Sequence, residues 1–465
     1  MRRRAAPVVA AALLLGLAGA ARADGIGSLQ AAMREEDQGH VQISIALYTA
    51  ALQDPALSPH DRLAAYYDRA SAYELSGDYE LAIGDYNLIL QANPRNALAL
   101  GRRAEAWWSL AEVKKALADY DEALRLEPRN AALLCGRGNL YRGRSDLTRA
   151  LADYDLSAQL NPGDPGVYFN RGLAYKDLGD NDHALADFSA ALRLDPKYAK
   201  AYFFRAYTYR AAGDLEHAVA DYDAALRLDP GNATMYYNRA NANAARGQAE
   251  KAIADYSQAI VLGPRNPWAF FNRAGLHLER GEYDQAIADY QSTLALNARN
   301  ADAHFGLGSA RFFSGRYAEA AEDISRALSM PGDGVLALSA GGDGSLETKY
   351  RLIWRYLARR RSGQDGTEEL RRGAAGLDAG WPAPVIELLL GRLDGNGLLA
   401  AARDADPQLQ RKKQCEANAY LGEMRLIGAD RAAALPLLKA AGEQCPAGYI
   451  EQRLALVELQ RLAPP

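Results

Sequence analysis

Two kinds of side chain recur in this chain at a spacing that could organise binding chemistry. Tyr67, Phe169, Phe203, Tyr237, Phe271 and Phe305 are separated by multiples of 34 residues, and Arg142, Lys176 and Arg210 stand 34 apart, with Lys200 nearby. Rings give flat apolar contact and cations give charge-assisted hydrogen bonds, so the combination suits an extended peptide or a glycan bearing carboxylates. Catalysis finds less to use. The six histidines, His40, His60, His183, His217, His277 and His304, lack the close His, Cys and carboxylate spacing of a metal site. Neither a glycine-rich phosphate loop nor a nucleophile elbow occurs, so the expectation is a non-enzymatic chain with no cofactor and no metal.

The same interval governs the residues that must position these groups. Pro94, Pro128, Pro162, Pro196, Pro230 and Pro264 stand 34 apart, and an alanine keeps the same phase at Ala82, Ala116, Ala150, Ala184, Ala218, Ala252, Ala286 and Ala320. A fixed period of that size means stacked helix pairs, none able to bury its apolar face alone. With position 1 at Leu63, eight repeats span 63–334. Position 24 carries Tyr86, Tyr120, Tyr154, Phe188, Tyr222, Tyr256, Tyr290 and Ile324, whereas position 8 carries only Ala or Gly. A large side chain facing a small one is what close-packed antiparallel helices need. Gly77, Gly179, Gly213, Gly247, Gly281 and Gly315 read as the turn between them. Arginine at position 7, from Arg69 to Arg273, and aspartate at position 23, from Asp85 to Asp323, read as structural ion pairs in preference to a ligand site, because a binding site rarely needs the same charge in every repeat. Leu307 breaks that series.

The pattern resembles the tetratricopeptide repeat. Tyr168, Gly172, Tyr175, Ala184, Phe188 and Pro196 match its signature within one repeat, while Ala298, His304, Arg311 and Ile324 depart from it in the last two. The resemblance implies an all-α, right-handed superhelical α-solenoid whose positions 2, 5, 9, 12 and 13 line a concave groove. Position 5 supplies the six rings, and positions 2 and 12 supply Lys200, Arg142, Lys176 and Arg210. A second role fits position 5 equally: support of the next repeat's first helix. The carboxylate clamp of chaperone-binding members is not matched, because no position 5 is Lys and Asn139, Asn241, Asn170, Asn238 and Asn272 are isolated pieces of it.

Outside the array the sequence changes character. Arg2 to Arg4, the apolar run from Ala5 to Ala20 and the Ala21-Arg22-Ala23 site read as a signal peptide over 1–23, cleaved after Ala23 for export to the periplasm, with a membrane anchor as the alternative. Losing those residues removes four arginines and no acid, moving the net charge from −4 to −8, which argues against nucleic acid as a partner. After cleavage no stable membrane insertion is expected. Residues 24–62 form a divergent helical segment in which Tyr48 matches position 24, 335–350 a glycine-rich linker, and 351–465 a degenerate repeat-like domain with a capping helix from Tyr449 to Leu462. In that domain one frame from Arg351 places Trp354, Leu357, Ala358 and Pro382. A second frame from Cys415 places Gly422, Ala434, Leu438, Ala441 and Pro446. Positions 1 and 31 of the second, Cys415 and Cys445, should then lie within disulfide reach. Two buried free thiols are the alternative, and Cys135 is left unpaired.

WPAPVIELLLG from Trp381, CEANAYLGEM from Cys415 and LVELQRL from Leu456 resemble the end of exported bacterial proteins related to new lipoprotein I. That resemblance implies a periplasmic adaptor bringing proteases and cell-wall hydrolases together, although the lipid-accepting cysteine is missing. The leading expectation is therefore a scaffold docking envelope proteins or peptides. A glycan-binding accessory of polysaccharide export or cell-wall metabolism is the alternative.

Overall fold

The computed structural model describes residues 25–330, 345–446 and 448–463, and every regular element among them is an α-helix. The expected signal peptide and residues 335–344 of the expected linker lie outside the described residues. The chain divides into two compact units between Asp221 and Tyr222.

In the first unit, α1 (Gly25–Asp37) and α2 (Val41–Leu52) already form a helix pair, in which Tyr48 packs on Ala32 as a ring on a small residue. Four regular pairs follow: α3 (Pro59–Ser76) with α4 (Tyr79–Ala92), α5 (Ala97–Ser109) with α6 (Val113–Leu126), α7 (Ala131–Gly143) with α8 (Leu147–Leu160), and α9 (Pro165–Leu178) with α10 (Asn181–Leu194). The next pair, α11 (Ala199–Ala211) and α12 (Leu215–Leu228), ends across the unit boundary. The second unit continues with α13 (Ala233–Ala245), α14 (Ala249–Leu262), α15 (Pro267–Glu279), α16 (Tyr283–Leu296), α17 (Ala301–Phe313) and α18 (Tyr317–Ser329). The extra residues before Leu63 lengthen α3 at its start, where the Ser58 hydroxyl caps Asp61 N.

Local sequence explains these boundaries. Asn96, Asn130, Asp164, Asn232, Asn266 and Asn300 accept from backbone N–H groups at the starts of first helices. Position 15 takes the left-handed conformation that ends each first helix, with φ +83° at Gly77 and +85° at Gly179. Ala111 and Ser145 adopt it without glycine, at φ 59° and 60°, so the motif imposes the turn even where the residue resists it. The ring-on-small contact is tight: a Cβ on Gly138 would sit 2.7 Å from Tyr154, and one on Gly172 would sit 2.8 Å from Phe188.

Each position-7 arginine spans three helices. Arg171 donates to both carboxylate oxygens of Asp187 at 2.8 and 2.7 Å, and its third nitrogen reaches Asp155 of the preceding repeat at 2.8 Å. The same third contact goes from Arg103 to Asn87, Arg137 to Asp121, Arg205 to Ser189, Arg239 to Asp223 and Arg273 to Ser257. Position 25 is thus an acceptor row that ties repeat to repeat. Where Leu307 breaks the series, Arg311 at position 11 takes Asp323 at 2.5 Å.

Beyond Met330 the regular pattern stops. α19 (Ser345–Arg361) begins inside the stretch expected as linker, and it buries Trp354, Leu357 and Ala358 completely, with Trp354 edge-on to Phe312 and Phe313. The repeat expected from Arg351 is not completed. α20 (Thr367–Gly373), α21 (Ala383–Leu389) and α22 (Gly395–Ala401) have seven residues each, because Gly363, Gly366, Gly373, Gly376 and Gly380 weaken helix in that stretch. The frame from Cys415 does form a pair: α23 (Pro407–Ile427) and α24 (Arg431–Gln444) close Gly422 on Leu438, and α25 (Ile450–Leu462) packs against both. Cys415 and Cys445 have Cα atoms 5.0 Å apart with their sulfurs in contact.

Candidate functional site

Most of the position-5 rings lean on a second helix before they meet solvent. Tyr67 lies edge-on to Tyr86 with centroids 6.1 Å apart, Tyr237 packs on Tyr256 at 5.9 Å, and Phe271 on Tyr290 at 5.7 Å. All three, like Phe203, remain half-buried. Phe169 differs. It is 7% exposed and is surrounded by Phe188, Tyr198 and Phe204, so it belongs to the core between repeats and offers little to a ligand. Phe305 faces the C-terminal helices, with the Arg351 guanidinium 6.0 Å from its ring. The support role therefore takes Phe169 and Phe305, and it shares the other four.

The cations sit one helical face away. Arg142 lies in the last turn of α7, Lys176 in that of α9 and Arg210 in that of α11, where the helix dipole favours positive charge. Asp177 Oδ2 accepts from Arg142 at 3.0 Å and its Oδ1 from Lys176 at 2.9 Å, so one carboxylate joins two repeats. Tyr207, at position 9, is 38% exposed and has Arg210 at 5.2 Å and Lys176 at 5.9 Å from its ring centre. Lys200 is exposed at the opposite end of α11. Neither Asp177 nor Tyr207 stood out in the sequence, although both fall on positions 13 and 9, which the resemblance assigns to the groove.

At position 12 the first repeat carries the opposite charge, Glu74, and the second carries Trp108. Ser71, Glu74, Arg102 and Glu105 line a recess of about 350 Å³ between α3 and α5. Burial pushes the Glu74 carboxyl up, against the hydrogen bond it accepts from Tyr86 at 3.0 Å. Arg102 donates to Tyr67 Oη at 3.3 Å and to Glu105 at 3.2 Å.

The histidines are engaged locally: His40 contacts Glu35 at 2.8 Å and His304 contacts Ala298 O at 3.3 Å. His183 and His217 each lie 2.7 Å from the aspartate that caps their helix and stack on Tyr175 and Tyr209, and His277 contacts Glu282 at 2.5 Å. Among the described residues no helix is long and apolar enough to cross a membrane.

Family models described as tetratricopeptide repeat match residues 29–97, 102–165, 137–207 and 271–334, and one described as TPR repeat matches 206–247 and 244–279. The chain is a tetratricopeptide repeat protein. Three similar solved structures are a tetratricopeptide repeat protein from Parabacteroides merdae, the C-terminal part of a TPR repeat-containing protein from Cytophaga hutchinsonii, and YrrB, described as a TPR protein with an unusual peptide-binding site. The first is 22% identical over 51% of this chain and 93% of its own, with a TM-score of 0.42. The second is 19% identical over 52% and 99%, at 0.44, and the third 24% identical over 40% and 95%, at 0.35. No curated protein sequence matches the chain.

The C-terminal helices of this tetratricopeptide repeat protein hold a second set of charged groups, all engaged in structure. Arg361 pairs with Glu423 at 2.5 Å and Glu458 at 2.6 Å, while Arg461 donates to Phe313 O at 2.6 Å and to Tyr317 Oη at 2.9 Å. Arg453 donates to Glu279 O. Arg453 and Arg461 cap the carbonyl ends of α15 and α17, which lack further helix to bond them. The face of the eighth repeat is thereby given over to the chain's own C-terminal helices.

Proposed function

We propose that this protein is a non-enzymatic adaptor of the bacterial envelope, holding an extended segment of a partner protein along its first-helix faces. A tetratricopeptide stack is a scaffold for protein–protein interaction, and the observation that carries the proposal is the chemistry left over after packing. Position-24 rings, position-7 arginines and position-23 aspartates are all consumed by contacts between helices. Tyr207, Lys200 and the half-buried Tyr67 and Arg210 still face outward with ring and charge to offer.

The envelope location rests on the N-terminal sequence, with its three arginines, apolar run and small-residue cleavage site. A disulfide between Cys415 and Cys445 fits that compartment, since the cysteines lie within bonding reach and oxidised pairs persist outside the cytosol. The C-terminal resemblance favours proteases or cell-wall hydrolases as partners.

A photo-crosslinking amino acid at Tyr207, expressed in the native bacterium, should capture a periplasmic protein that the same probe at Leu156, on a second helix, does not. Equal capture from both positions, or fractionation of the protein with the cytoplasm, would overturn the proposal.

A further inference from the structure

The row of position-12 cations contains one filled slot and one empty of carboxylate. In the filled slot, between the third and fourth repeats, Asp177 at position 13 bridges Arg142 and Lys176 at 3.0 and 2.9 Å. One period further on, the two flanking cations are Lys176 and Arg210, but position 13 is Ala211. Among the described residues no carboxylate pairs with Arg210, and its Nε is buried without a hydrogen-bond partner, as is that of Arg142. Tyr207 floors the slot, with both cations within 6 Å of its ring centre. Three cations and one acid leave this row with an excess of positive charge, although the whole chain is acidic.

We infer that Lys176, Tyr207 and Arg210 form a subsite for an aspartate or glutamate side chain of a bound peptide, placed as Asp177 is placed one repeat earlier. This inference rests on the peptide-binding proposal above and specifies its ligand as acidic at one point. The guanidinium offers planar donors to a carboxylate, the ammonium a second charge, and the ring an apolar wall for the methylene stem. A lysine or arginine in the peptide would meet repulsion there. The bound segment thereby has its acidic point at the fourth and fifth repeats.

The test uses the full chain and two fluorescein-labelled ten-residue peptides, oligoglutamate and oligoglutamine, read by polarisation. Glutamate should bind about tenfold tighter than glutamine, as expected for two charge-assisted contacts on a partly solvated surface. Ala211→Asp fills the slot with the chain's own carboxylate at an exposed position, so it should abolish that preference and leave oligoglutamine binding unchanged. Arg210→Gln should reduce it by a similar factor without adding a charge. Equal affinity for the two peptides, or a preference that survives Ala211→Asp, overturns the subsite while leaving peptide binding standing. If neither peptide binds but oligogalacturonate does, and Ala211→Asp abolishes that, peptide binding is overturned and the ligand is a uronate glycan.

Discussion

Replacement of Arg171 by methionine should destabilise the repeat array by about 3 kcal/mol, the low end of what breaking a buried ion pair costs. The figure follows from what is left behind. The Asp187 side chain is 8% exposed and receives both of its ion-pair hydrogen bonds from Arg171, whereas Arg171 itself keeps 20% of its surface. Methionine fills the aliphatic part of the space but leaves the carboxylate without a cation. Asp155, the third partner, is 48% exposed, so Asp155→Ala should cost only about 0 to 1 kcal/mol. Arg171→Met combined with Asp187→Leu should recover most of the loss, because a buried pair can be exchanged for apolar contact at little net cost. Urea unfolding followed by circular dichroism gives the global change. Amide hydrogen exchange in α9 and α10 localises it, which matters in a stack whose repeats can open separately. If Arg171→Met costs no more than Asp155→Ala, or if the double variant is as unstable as the two single losses added, the ladder does not hold the repeats together in the way its geometry implies.

Gly172→Val should lower the melting temperature through an overpacking cost of about 1 to 3 kcal/mol, since the added Cβ would meet the Phe188 ring at 2.8 Å; an unchanged melt would contradict the close approach. Burial first, and the Glu416 carboxylate second, push Glu451 up to about 7, opposed by the hydrogen bond from Tyr420. A raised carboxyl keeps its proton in the folded state, so its contribution is full below pH 4.5 and is lost as pH rises to about 7, on the order of 3 kcal/mol. Stability of the wild type minus that of Glu451→Gln, measured across that range, should fall with pH, and a flat difference refutes it. Reducing agent should destabilise α23 and α24 by about 3 to 4 kcal/mol, the loop-entropy figure for a closure of 30 residues, and should leave Cys415→Ser unaffected; equal sensitivity in both would show that the two sulfurs are not bonded.

Much of the regular array was readable because a 34-residue period repeats the same local rules. The position-24 ring, the position-8 small residue and the position-7 arginine each face a partner at fixed sequence distance, so periodicity alone implies the contact. Position 25 carried the same signal, in Asn87, Asp121, Asp155, Ser189, Asp223 and Ser257, but its partner lies in the next repeat, where a pattern read within one unit does not look. The position-5 stripe could be read in phase, but not how much of it packing would consume. Phe169 is enclosed because Phe204 comes from the following repeat at position 6, where the other repeats have Asp, Arg, Gly or Asn.

The sequence by itself determined that this chain is a stack of helix pairs, where each pair begins and ends, and which residues hold the two helices of a pair together. Those are short-range matters of spacing, capping and size. Tertiary structure decided which binding-type residues remain available. The C-terminal helices settle on Phe305, Phe312 and Phe313, and Asp177 bridges two cations of a row of three, leaving one acid for three positive charges. The first outcome depends on residues far apart in the chain whose pairing no period relates, and the second on a contact between neighbouring repeats made by a position 13 that differs from repeat to repeat, so only folding in three dimensions could reveal them.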